Sequence, residues 1–134
     1  METIEFRGKD LTGEWHYGTG VQTIDNHAYI ITGACGLSCY SRKQVCINAV
    51  AVEVEAKSVS QYTGLQDRYG TRIYENDILY DDYDDELYYV EFNEGQFKAV
   101  SSGYMIELSE INNTSWIRGN TVDDAVEEGE LDGN

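Results

Sequence analysis

Apolar residues in this chain never hold a 3.6-residue repeat for long; they alternate with polar ones over short runs, and the runs end at Gly, Asn or Asp. Alternation is the mark of a half-buried strand, whose successive side chains point to opposite faces. Residues 4–8 and 14–18 alternate in this way around Thr12-Gly13, with Trp15 and Tyr17 sharing a face, and read as a hairpin. Asp25-Asn26 is a turn pair that leads into a strand over 28–31. The valine-rich run over 45–54 is a further strand, with a bulge or break near Asn48-Ala49. Residues 87–92 and 96–100, joined by Asn93-Glu94-Gly95, form the clearest hairpin, with Tyr88, Val90 and Phe92 on one face and Phe97 and Ala99 inward. Shorter strands are expected over 104–108 and 115–118, while 33–44 shows no period and reads as a loop. The pattern predicts a mainly β fold of short antiparallel strands, as a barrel or a sandwich.

Turn chemistry is concentrated in residues 61–80. The chain has no proline, so its turns fall to 13 glycines and to Asn and Asp. Gly64 and Gly70 suit positive φ, Asp67 can bond the backbone ahead of it, and Asn76 is the side chain that best tolerates left-handed backbone after glycine. Residues 78–80 then enter a buried strand.

Charge narrows the partners. The formal net charge is −16, concentrated in Asp81, Asp82, Asp84, Asp85 and Glu86 and again in the tail over 122–134. A phosphate backbone needs clustered Lys and Arg, which this chain lacks, so direct nucleic-acid binding is not expected, nor is an anionic membrane surface. No apolar run spans a bilayer and no secretory leader opens the chain, which leads to an expectation of a cytoplasmic protein with reduced thiols at Cys35, Cys39 and Cys46.

The order Gln61-Tyr62-Thr63-Gly64-Leu65, Asp67, Gly70, Ile73-Tyr74-Glu75 and Asp77-Ile78 resembles the signature of the YopX family of phage and prophage proteins. Phe6-Arg7-Gly8-Lys9 with Gly13-Glu14-Trp15 and Tyr17-Gly18 resembles the family's opening segment, and Ile117 with Gly119-Asn120 its closing strand. Asn76 stands where the family usually has glycine, and Ala56 and the 123–125 segment stand where it usually has proline. The resemblance implies an SH3-like barrel or roll with irregular loops; length points to a single domain, over 1–121, and the acidic composition of 122–134 to a flexible tail. The resemblance implies no catalytic activity.

Each candidate site has a plainer alternative role. Cys35, Cys39 and Cys46 with His27 offer four zinc ligands, but only the first pair has metal-site spacing, so loop or core thiols are expected. The acidic block lacks the ordered spacing and central glycine of a calcium loop, and is expected to be solvated and too charged to lie inside a sheet. His16 is expected on the face opposite Trp15 and Tyr17, with no carboxylate or nucleophile placed beside it by short spacing, and no nucleophile elbow, phosphate loop or dinucleotide fingerprint is present. The expectation is a protein that is not an enzyme and has no cofactor and no metal.

The leading reading is stoichiometric binding to a host protein with a basic surface. In it Asp81, Asp82, Asp84, Asp85 and Glu86, with Tyr83 and Tyr88 as aromatic anchors, imitate a phosphate track and inhibit a host defence nuclease. One alternative is an oligomeric sponge or sensor that binds a small nucleotide through Arg68 and Arg72 near the Gly64 and Gly70 amides. Those cations are otherwise expected to pair with Asp67, Glu75 or Glu94. The other alternative is a structural accessory protein that forms a homo-oligomer through exposed strand edges.

Overall fold

The computed structural model describes residues 4–32 and 51–123. The cysteines, the loop over 33–44, the first part of the valine-rich run and the tail beyond Asp123 lie outside the described residues. The fold is mainly β with antiparallel pairing throughout, and the chain divides into two compact units, Met1–Gln61 and Tyr62–Asn134.

The first unit begins with the expected hairpin, β1 (Phe6–Lys9) and β2 (Trp15–Gly18), in which Arg7 faces Tyr17 and Gly8 faces His16. Residues Ser60 and Gln61, which open β6 (Ser60–Gln66), pair with the other edge of β1. A three-stranded sheet follows: β3 (Gly20–Ile24), β4 (His27–Ile31) and β5 (Ala51–Val54), in that spatial order. Asp25 and Asn26 connect β3 to β4 with φ of 51° and 71°, the mirror-image turn whose twist suits a two-residue hairpin. β3 carried too little apolar alternation to be expected as a strand; pairing along its whole length with β4 supplies what its side chains do not.

Ala28, Ile30 and Val54 form the core of this unit, with Phe6, Val21, Val52 and Val59 packed around them. Two glycines make the packing feasible. A Cβ on Gly8 would lie 2.8 Å from Val54 Cγ2, and one on Gly18 would lie 2.1 Å from the Ile31 carbonyl oxygen. The hairpin therefore sits close on the sheet, Gly18 against the Ile31 backbone and Gly8 against the Val54 and Ile30 side chains.

In the second unit the remainder of β6 pairs with β7 (Arg72–Tyr74). Between the Tyr62–Tyr74 and Gln66–Arg72 pairs the chain advances four residues on β6 against two on β7, so β6 bulges, at Gly64 with φ 90°. Thr63 holds the bulge, donating its hydroxyl to the Ile73 carbonyl (2.8 Å) while accepting the Leu65 amide (3.1 Å). A five-stranded sheet contains β8 (Asp77–Asp81), β9 (Glu86–Asn93), β10 (Gln96–Ser101), β11 (Tyr104–Glu107) and β12 (Ser115–Asn120), in the order β11-β10-β9-β8-β12. Its core is Ile73, Leu79, Tyr88, Val90, Ala99, Leu108 and Ile111.

Three expectations are corrected here. None of the sheets closes into a barrel: β11 and β12 remain edges that do not pair with each other, and the apolar residues gather into two small cores instead of filling one closed sheet. The Asn93–Gly95 connection is shorter than expected, because Asn93 pairs with Gln96 and only Glu94 and Gly95 turn, both at positive φ. The acidic block is not wholly a loop. Asp81 ends β8 and Glu86 begins β9, paired with each other, and only residues 82–85 form the turn. Phe92 lies at the outer end of its face, exposed and edge-on to Phe97.

Candidate functional site

The site is built around the β8–β9 turn. Asp81 is 2% exposed and its Oδ1 accepts the Tyr83 amide (3.1 Å), so this carboxylate shapes the turn from inside. Asp85 takes the left-handed conformation at φ 56° and accepts the Tyr80 hydroxyl on Oδ1 at 2.6 Å. That bond holds the Tyr80 phenol above its ordinary pKa, because ionising it would set two negative charges side by side. Glu86 accepts the Ser101 hydroxyl from β10, and Asp82 pairs with Arg68 at 3.3 Å. The turn is thus tied down at both ends while Asp82, Tyr83, Asp84 and Asp85 face solvent, with Tyr83 86% exposed.

Beside this turn lies an open cleft of about 480 Å³. Tyr83 and Tyr104 stand at its mouth, with Tyr88 deeper and Ile106 and Ile111 on the apolar wall. Asp81, Asp84 and Glu110 add carboxylates to the lining. Tyr88 is 1% exposed and shares a hydrogen bond of 3.1 Å with the Tyr104 hydroxyl, their rings meeting edge to face. Burial first and this bond second raise the Tyr88 phenol far above its ordinary pKa, so it stays neutral. Among the described residues no cationic side chain pairs with Asp81, Asp84 or Glu110.

The residues singled out from the sequence therefore separate by depth. Asp82, Tyr83, Asp84 and Asp85 come together on one exposed turn; Asp81 and Tyr88 lie beneath it, where they shape the cleft rather than the outer surface. Tyr104 and Glu110 had no sequence signal as site residues, since they reach the cleft only through β11 and the turn after it. Their separation from the acidic block is bridged by the β8-β9-β10-β11 ladder.

Arg68 and Arg72 are committed elsewhere. Arg68 lies over the Tyr69 and Trp116 rings, 5.5 and 5.2 Å from their centroids, and pairs with Asp82 instead of the expected neighbours. Arg72 lies 5.0 Å over Tyr62. Asp67 is taken by backbone: Oδ1 accepts the Tyr69 and Thr71 amides (2.9 and 3.0 Å) and Oδ2 the Ile117 amide (3.2 Å). Asp77 likewise accepts the Tyr74 amide at 2.7 Å.

A second group lies in the first unit. Asp10, Glu14 and His16 bring three donor atoms within 4.8 Å of one another. The expectation that His16 has no carboxylate beside it is corrected, because the β1–β2 turn folds Asp10 back onto it, His16 Nε2 to Asp10 Oδ2 at 2.7 Å. Asp10 Oδ1 accepts the Thr12 hydroxyl and the Thr12 and Glu14 amides. The Thr12 hydroxyl first, then the Glu14 amide and His16, hold this carboxyl well below its ordinary range. The carboxylate thus closes the hairpin. His27, considered as a zinc ligand, bonds Glu53 Oε2 through Nδ1 at 2.5 Å.

No helix among the described residues is long and apolar enough to cross a membrane. The family model described as YopX protein matches residues 5–127. No curated protein matches the chain.

Proposed function

This chain belongs to the YopX family, and from that premise we propose that it is a phage-type, non-catalytic accessory protein that binds a basic surface on a host protein. The observation that carries this reading is the β8–β9 turn. Four consecutive exposed residues, three of them Asp and the fourth Tyr83, are presented on a short hairpin whose ends are bonded to Tyr80 and Ser101. A turn held in one shape loses little entropy on binding, and its charge steers a cationic partner toward it. Inhibition of a nucleic-acid-handling host protein is the consequence we attach to it, since such proteins carry basic grooves that a row of carboxylates can occupy.

The test is a pull-down from host lysate with the wild-type chain and with Asp82→Asn/Asp84→Asn/Asp85→Asn, at low and at high salt. A basic protein held at low salt, released at high salt and lost with the triple variant is the expected result. Capture that ignores both salt and the three substitutions rules the reading out.

A further inference from the structure

We infer that the cleft next to the acidic turn is a receptor for one arginine side chain, contributed by an extended basic segment of the bound protein; this rests on the binding function just proposed. The cleft combines three features that a guanidinium uses together. Tyr83 and Tyr104 offer exposed ring faces at its mouth, 86% and 46% exposed, and a planar cation stacks on such faces. Asp84 and Glu110 supply exposed carboxylates at the rim. Asp81 is the third feature. It is a 2% exposed carboxylate that lines the cleft, accepts the Tyr83 amide on Oδ1 and, among the described residues, has no cation within pairing distance.

A guanidinium entering from the cleft adds forked, charge-assisted N–H donors to Asp81, which from its own chain accepts the Tyr83 amide. Charge decides the class of occupant. The charged groups on the lining are the carboxylates of Asp81, Asp84 and Glu110, and no Lys or Arg among the described residues contributes to it, so an anion is repelled and a neutral ligand leaves the three carboxylates without a counter-charge. Geometry decides between the two basic side chains. Tyr88 and Ile111 make an apolar floor and wall that suit the methylene stem, and two tyrosine rings favour the flat guanidinium over the compact, strongly hydrated ammonium. The neutral Tyr88 phenol, bonded to Tyr104, keeps the floor uncharged and fixes the Tyr104 ring.

The test uses the full chain, labelled for amide NMR and titrated with N-acetyl-arginine amide, with the citrulline and lysine analogues as controls. Expected are saturable shifts at Tyr104, Ile106 and Thr114, with lysine amide about fivefold weaker and citrulline amide about tenfold weaker. Glu110→Gln, at an exposed position, weakens arginine amide about threefold, and Tyr104→Ala about fivefold, each with the remaining spectrum unchanged. Absence of saturation, or binding of citrulline or lysine amide as tight as arginine amide, overturns the inference. Neither variant touches Asp82, Asp84 or Asp85. A lysate partner lost with the triple Asn variant while arginine amide fails to bind ends only the cleft assignment. A salt-insensitive partner beside normal arginine binding ends only the proposed function.

Discussion

Two acidic turns of the second unit use the same side chain in opposite ways. In the turn after β6, Asp67 is 6% exposed and spends both carboxylate oxygens on three backbone amides, one of them on Ile117, fifty residues away. In the turn after β8, Asp82 and Asp84 are exposed, and Asp82 holds only a surface pair with Arg68. A carboxylate that replaces backbone partners is part of the fold; one facing water is available to a ligand. The density of acidic residues, which drew attention to the second turn, does not distinguish them, whereas the destination of each oxygen does.

Asp67→Ala breaks the comparison most directly. It strands three amides that the carboxylate now satisfies, and should destabilise the protein by about 3 kcal/mol, read as a lower urea midpoint with an unchanged slope. A loss near zero would mean that water replaces the carboxylate, and the two turns would then be alike. Asp77→Ala removes the bond to the buried Tyr74 amide and should cost about 2 kcal/mol. Asp10 sharpens the comparison because it is a half-buried turn carboxylate outside the second unit. Its carboxyl lies below the ordinary value of 3.8, so its contribution is present above that pH and disappears as pH falls through the lowered folded value. Asp10→Asn should therefore lower Tm at neutral pH, with the difference from wild type shrinking under strong acid; a difference that persists there would assign the effect to packing. The smallest stability effect belongs to Asp82→Asn/Asp84→Asn/Asp85→Asn, within about 0.5 kcal/mol, measured on the same urea curves. A large loss would show that this turn, too, is structural.

Local chemistry makes much of the fold legible in the sequence. The β1–β2 and β9–β10 hairpins, the Asp25-Asn26 turn and Asn76 at φ 76° follow from alternation and from residues that tolerate positive φ, both properties of a few neighbouring positions. β3 is not legible because polar residues such as Gln22 and Thr23 pair through backbone, which leaves no apolar rhythm to read. The acidic turn was legible as a charged patch, but the cleft was not, since Tyr88, Tyr104 and Glu110 meet only through strand register.

By itself, the sequence determined the β class, the turn positions, the acidic surface and, through the order of residues in 61–80, the family. Tertiary structure decided that the sheets stay open around two cores, that Asp81 goes under the turn while Asp82 stays outside, and that Asp67 reaches β12. The physical reason is range. Turn conformation and strand alternation are set by sterics and hydration within a few residues, whereas burial of a carboxylate and the lining of a cleft depend on which strands become neighbours.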